Sequence, residues 1–149
     1  MSISFQTVPS IESGLGKISV LPDVCNRLNI KKPIIVTDQG LLQLGLVEKL
    51  EKILEKNNIQ TCVYKDVLAD PPEHNIFDAV NLFEDFGADG VIGFGGGSSM
   101  DVAKAVSYFS INKISISECY GVNKLVNKRS PLIQIPTTAG TGSELTPIA

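Results

Sequence analysis

The sequence predicts an α/β protein with an open, mostly parallel sheet covered by helices on both faces, and three observations carry that expectation. Short β-branched runs, Ile34-Ile35-Val36-Thr37 and Val91-Ile92 among them, alternate with longer stretches of helical periodicity. Such alternation implies parallel pairing through right-handed crossovers. After Gly95-Gly96-Gly97-Ser98 the apolar spacing changes, with Val102, Ala105, Val106 and Phe109 recurring as on one face of a helix. Finally, chemistry-bearing residues follow three predicted strands: Asp38, the glycine triplet and a threonine- and glycine-rich tail. In open parallel sheets, ligands bind beyond the carboxyl ends of the strands.

Taken in order, residues 3–8 alternate weakly and predict an edge strand, with residues 17–20 as its partner in an N-terminal β-hairpin. The intervening Gly14-Leu15-Gly16-Lys17 is too short for a phosphate-binding Walker loop, which needs GxxxxGK[ST]. Residues 22–28 predict a short helix opened by proline, and Pro33 leads into the buried run ending at Asp38. Residues 39–57 read as helical, with Leu46, Leu50, Ile53 and Leu54 on one side and Glu48, Lys49, Glu51, Lys52, Glu55 and Lys56 on the other; Gly45 divides the stretch. Asn57-Asn58 stops it, and residues 59–64 predict the next strand. Ala69-Asp70-Pro71-Pro72 leads into a helix with Ile76, Ala79, Val80, Phe83 and Phe86 inward, and Gly87-Ala88-Asp89-Gly90 turns the chain into the central strand. Beyond the helix ending near Phe109, residues 111–127 are polar and irregular, residues 131–135 predict another strand, and residues 136–144 form the tail.

A length of 149 residues with 43% apolar content predicts one domain able to bury a core. The net charge of −3 and the lack of a basic cluster argue against nucleic acid and against an anionic membrane surface, which are held by clustered Lys and Arg. No apolar run approaches the roughly 18 residues of a membrane span, and no basic region followed by an apolar core opens the chain. A cytoplasmic protein is expected. Cys25, Cys62 and Cys119 lie far apart without CxxC pairing, which reads as reduced, structural thiols. The single histidine, His74, rules out a histidine-rich metal site within the chain. His74 with Asp70, Glu73 or Asp78 is a weaker metal-ligand grouping, and the same acids suit a helix start after Pro71-Pro72.

Glycine lets a ligand approach the main chain closely, so three in succession suggest exposed N–H groups. Ser98 is the expected cap of the helix that follows, with Asp101 three residues later as a shorter capping-box acid. Free N–H groups at the positive end of a helix dipole form an anion site, most naturally for phosphate. A tight turn between strand and helix is the alternative use of the same glycines. An acid at a strand end takes hydrogen bonds from a ribose diol and repels a 2′-phosphate, so Asp38 favours NAD over NADP; a plain turn acid is the other reading. The order is unusual. A dinucleotide fingerprint places GxGxxG about 20 residues before the acid, whereas Asp38 precedes the glycine turn by more than fifty positions, and a serine stands where the last glycine belongs.

Val36-Thr37-Asp38, Gly95-Gly96-Gly97-Ser98 with Asp101 and Lys104, and Pro136-Thr137-Thr138-Ala139-Gly140-Thr141-Gly142-Ser143-Glu144 resemble, in that order and spacing, the iron-containing alcohol dehydrogenase family. The resemblance runs essentially from end to end. It implies a Rossmann-like domain over residues 1–149 that binds NAD. By resemblance, Asp38 holds the adenosine ribose, and Gly96, Gly97 and Ser98 hold the pyrophosphate. Thr137, Thr138 and Thr141 meet the adenine and nicotinamide-side atoms, and Gly95 and Gly142 complete the set. Asp70 matches a position, often Asn in the family, near the adenosine. Asp101 points in the family toward the nicotinamide and substrate; on its own it also reads as a first-turn helix acid.

In the family this domain precedes an all-helical domain that supplies an aspartate and usually three histidines to Fe²⁺ or Zn²⁺, and the sequence stops before any of them. The expectation is therefore the cofactor half of an NAD-dependent, metal-dependent alcohol dehydrogenase, a fragment or truncated product that is inactive alone. Its substrate would be a small alcohol or the matching aldehyde or ketone, and a homodimer paired through the N-terminal strand is implied by relatives. A stand-alone nucleotide-binding module working with a separate helical partner, and a glycerol dehydrogenase-like enzyme or cyclising synthase of the same fold, stand as alternatives.

Overall fold

A computed structural model describes residues 8–115 and 128–145. Strands β1 (Pro33–Val36), β2 (Cys62–Tyr64), β3 (Gly90–Gly95) and β4 (Leu132–Pro136) form one sheet in the order β2-β1-β3-β4. Every pairing is parallel, with Val36 opposite Gly93 and Gly93 opposite Gln134. The two central strands, β1 and β3, are buried along their whole length, which is why they read as continuous apolar runs without alternation.

Successive side chains on a strand point to opposite faces, so each strand feeds two cores. Ile34, Val36 and Val91 join a cluster with α4 (Glu73–Phe86) and α5 (Gly97–Phe109). Ile35, Ile92 and Phe94 join another with α1 (Leu21–Arg27), α2 (Gln39–Gln43) and α3 (Leu46–Glu55). The expected division of residues 39–57 occurs at Gly45, whose φ of 66° takes the chain out of α2 and into α3. Val47, Leu50 and Leu54 then form the buried stripe of α3.

Three expectations need correction. Residues 17–20 are a 3-10 helix, not the second strand of a β-hairpin. Their polar–apolar alternation suits an edge strand, but none of the four is buried, and Gly16 at φ 72° turns the chain into this 3-10 helix, which leads into α1. The proposed first strand lies, save for Val8, outside the described residues. Strand β2 covers only the end of the predicted 59–64 run. Helix α5 does not bury one face alone: Ser99, Met100 and every residue from Val102 to Phe109 are buried. Of the polar stretch 111–127, residues 116–127 lie outside the described residues.

At the amino end of the sheet, Asp89 closes the entry to β1. Its carboxylate accepts the Lys31 N–H at 2.9 and 3.1 Å and the Lys32 N–H at 2.8 Å. Lys32 Nζ donates to the Phe86 carbonyl and lies 4.4 Å from the centre of the Phe86 ring.

Candidate functional site

At the opposite edge the sheet opens. The Thr37 N–H donates to the Tyr64 carbonyl and the Val67 N–H to the Thr37 carbonyl, so β1 leaves the sheet held against the chain after β2. Asp38 follows in extended backbone as the N-cap of α2, and its Oδ1 accepts the Leu41 N–H at 3.1 Å. This is the local reason for an acid here, since a carboxylate at the N-cap satisfies a donor the helix leaves unpaired. The other oxygen, Oδ2, faces the end of β3, where the Ser99 hydroxyl donates to it at 3.4 Å.

The helix after β3 starts earlier than the sequence suggests. Its N-cap is Gly96, no side chain caps it, and Ser98 is already the second helical residue. The expected Ser98 cap is therefore absent: the backbone turns at Gly96, and Ser98 has passed the position from which a hydroxyl caps. Helix geometry leaves the N–H groups of Gly97, Ser98 and Ser99 without an intrahelical acceptor, at the end carrying about half a positive charge.

The tail closes over this turn. The Thr137 N–H donates to the Gly95 carbonyl at 2.9 Å. A Cβ at Gly96 would lie 3.5 Å from Thr138 Oγ1, and one at Gly97 would lie 3.4 Å from Ser143 Oγ and 3.5 Å from Thr141 Cγ2. Gly142, at φ 69°, turns the tail, and its carbonyl accepts the Leu145 N–H. Thr137, Thr138 and Thr141 are exposed. Asp38, Gly95, Gly96, Gly97, Ser98, Thr137, Thr138, Thr141 and Gly142 thus meet at one edge, as three loops following parallel strands.

Asp70 and Asp101 make no hydrogen bond to that grouping among the described residues. Asp70 is exposed, at φ 49°, on the loop into α4, and among the described residues no hydrogen bond ties it to the other site residues. Asp101 is the fifth residue of α5, past the first turn, so the first-turn reading fails; it accepts a hydrogen bond from the buried Lys104 ammonium at 3.0 Å. Ser99 and Ser143, unassigned from sequence, belong to the site. The doubled serine after the glycines was the available signal for Ser99, and the serine before Glu144 for Ser143.

The arrangement fits a polyanion carrying a sugar diol: uncapped N–H groups for charge, glycines leaving the main chain open, and a half-committed carboxylate beside them. It does not fit a metal. Among the described residues no group of three or more His, Cys, Asp or Glu could hold a metal ion, and His74 is exposed. Burial pushes the Cys25 and Cys62 thiols up to about 11, so neither is a nucleophile near neutral pH. Cys119 lies outside the described residues. A concavity of about 720 Å³ elsewhere is lined by Glu48, Glu51 and Glu55, among others, a rim that repels the anion the glycine turn would attract.

Residues 9–149 match the family described as iron-containing alcohol dehydrogenase. The chain belongs to that family. It is 38% identical over its full length to sulfoacetaldehyde reductase of Bilophila wadsworthia, of which it covers 38%. Among solved structures, an alcohol dehydrogenase from Oenococcus oeni superposes with a TM-score of 0.91 at 37% identity, over 97% of this chain and 38% of that one. Sulfoacetaldehyde reductase from Bifidobacterium kashiwanohense, solved with NAD⁺, superposes with a TM-score of 0.87 at 27% identity, over 98% of this chain and 39% of that one. The chain therefore spans under two-fifths of the length of these family members. No described helix is long and apolar enough to cross a membrane.

Proposed function

We propose that residues 1–149 are the NAD-binding part of an oxidoreductase that interconverts an alcohol and its aldehyde or ketone. The observation carrying this reading is the meeting of Asp38 Oδ2 with the uncapped first turn of α5, bridged by Ser99 at 3.4 Å. In the proposal, the turn at Gly96 and the N–H groups of Gly97 and Ser98 receive the pyrophosphate, and Asp38 accepts the adenosine ribose hydroxyls. Thr138 and Thr141 flank the entry over the glycines and orient the remainder of the dinucleotide. Bound NAD supplies the hydride acceptor. Ligands for the family's metal would come from the portion of relatives that this chain does not span, so the chain alone is expected to bind the dinucleotide without turnover.

The test is a titration of the chain with NADH, followed by NADH fluorescence, with NADPH in parallel; the absence of tryptophan removes interference. Saturable enhancement is expected with NADH and a markedly weaker response with NADPH. No saturable response from a chain shown by circular dichroism to be folded would overturn the reading.

A further inference from the structure

We propose that Ser99 is a positioning residue: it holds the Asp38 carboxylate toward the ribose and so sets the preference for NADH over NADPH. This rests on the cofactor reading above and extends it to a residue that does not touch the cofactor. Ser99 is only 1% exposed, so its hydroxyl is closed to a ligand.

A helical serine commonly turns its hydroxyl back to the carbonyl four residues earlier. For Ser99 that carbonyl belongs to Gly95, and it already accepts the Thr137 N–H at 2.9 Å. The hydroxyl instead donates across the gap between β1 and β3, to Asp38 Oδ2 at 3.4 Å. Because Leu41 holds Oδ1 at 3.1 Å, the carboxylate is oriented from two helices at once.

Space for this contact is built into the end of β3. A Cβ at Gly95 would lie 2.6 Å from Ser99 Oγ and 3.3 Å from Asp38 Oδ2, and Gly95 sits at φ 154°, where glycine is favoured. The ribose acid is thereby tied to the same helical turn that carries the pyrophosphate donors. An oriented carboxylate both accepts ribose hydroxyls and repels a 2′-phosphate, so loosening it acts in opposite directions on the two cofactors.

The experiment measures NADH and NADPH affinities for the wild-type chain, Ser99→Ala, Asp38→Gly and the double variant, with thermal melting of each. Ser99→Ala should weaken NADH binding about threefold to tenfold, the range for losing one hydrogen bond, and narrow the NADH-to-NADPH preference. In the Asp38→Gly background, Ser99→Ala should change NADH affinity no further. A merely structural serine would lower both affinities together, in either background. An unchanged preference in Ser99→Ala, with wild type still binding NADH, overturns this assignment and leaves the cofactor reading standing. Failure of the folded wild-type chain to bind NADH overturns both.

Discussion

Two aspartates at opposite ends of the sheet differ in how fully their carboxylates are bonded to the chain around them. Asp89, at the amino end, is tied by both oxygens: the Lys31 N–H is shared between them at 2.9 and 3.1 Å, and the Lys32 N–H donates at 2.8 Å. Asp38, at the carboxyl end, commits one oxygen to the Leu41 N–H and has only the long Ser99 contact on the other. The backbone repeats the contrast. Asp89 supplies acceptors to the chain entering β1, while the first turn of α5 has no side-chain cap. The N–H donors of that turn have no acceptor within the helix, and in the proposed reading a ligand completes their bonding.

The sharpest way to break this contrast is Gly95→Ala. The added Cβ would lie 2.6 Å from Ser99 Oγ and 2.8 Å from Ser99 Cβ, forcing the first turn of α5 away from the end of β3. NADH affinity should fall more than about tenfold and stability by about 1–3 kcal/mol, the usual cost of overpacking; near-normal titration and melting would show that the turn tolerates what the geometry forbids. A smaller effect is expected from Asp38→Gly. Glycine is an acceptable N-cap, so stability should drop by only a few tenths of a kcal/mol, roughly, while NADH binding weakens about tenfold, in the range for hydrogen bonds to a charged group. The bias against NADPH should relax in the same titrations, and unchanged selectivity would remove Asp38 from the site. Asp89→Ala sharpens the comparison from the other side. It should lower stability by about 1–2 kcal/mol, read by chemical denaturation, and leave NADH affinity and selectivity as in wild type. A selectivity change in Asp89→Ala would mean that the two ends are not separate.

Much of this was legible along the chain. Helix α3 shows its buried side through Leu50 and Leu54, although Val47 is buried beside them where Leu46 and Ile53, expected inward, are only half-buried, and β1 and β3 show themselves as apolar runs because both of their faces are covered. The site edge was legible for a related reason: parallel strands all end on one side, so whatever follows each strand must converge there. Residues 17–20 misled because a four-residue alternation carries no information about whether a strand is available to pair with it. The first-turn reading of Asp101 failed because its position was counted from a helix start placed too late; with Gly97 as the first helical residue, it falls past the first turn.

By itself, then, the sequence determined the alternation of strands and helices, the glycine opening after β3 and the acid after β1, since each depends on neighbours a few positions away. Tertiary structure alone decided that β3 lies against β1 with β2 outside it, and that Ser99, not Ser98, meets an aspartate 61 residues earlier. The reason is geometric: each helical residue is rotated by about 100° from the last, so shifting the helix start by a single residue changes which of two adjacent serines faces the strand beside it.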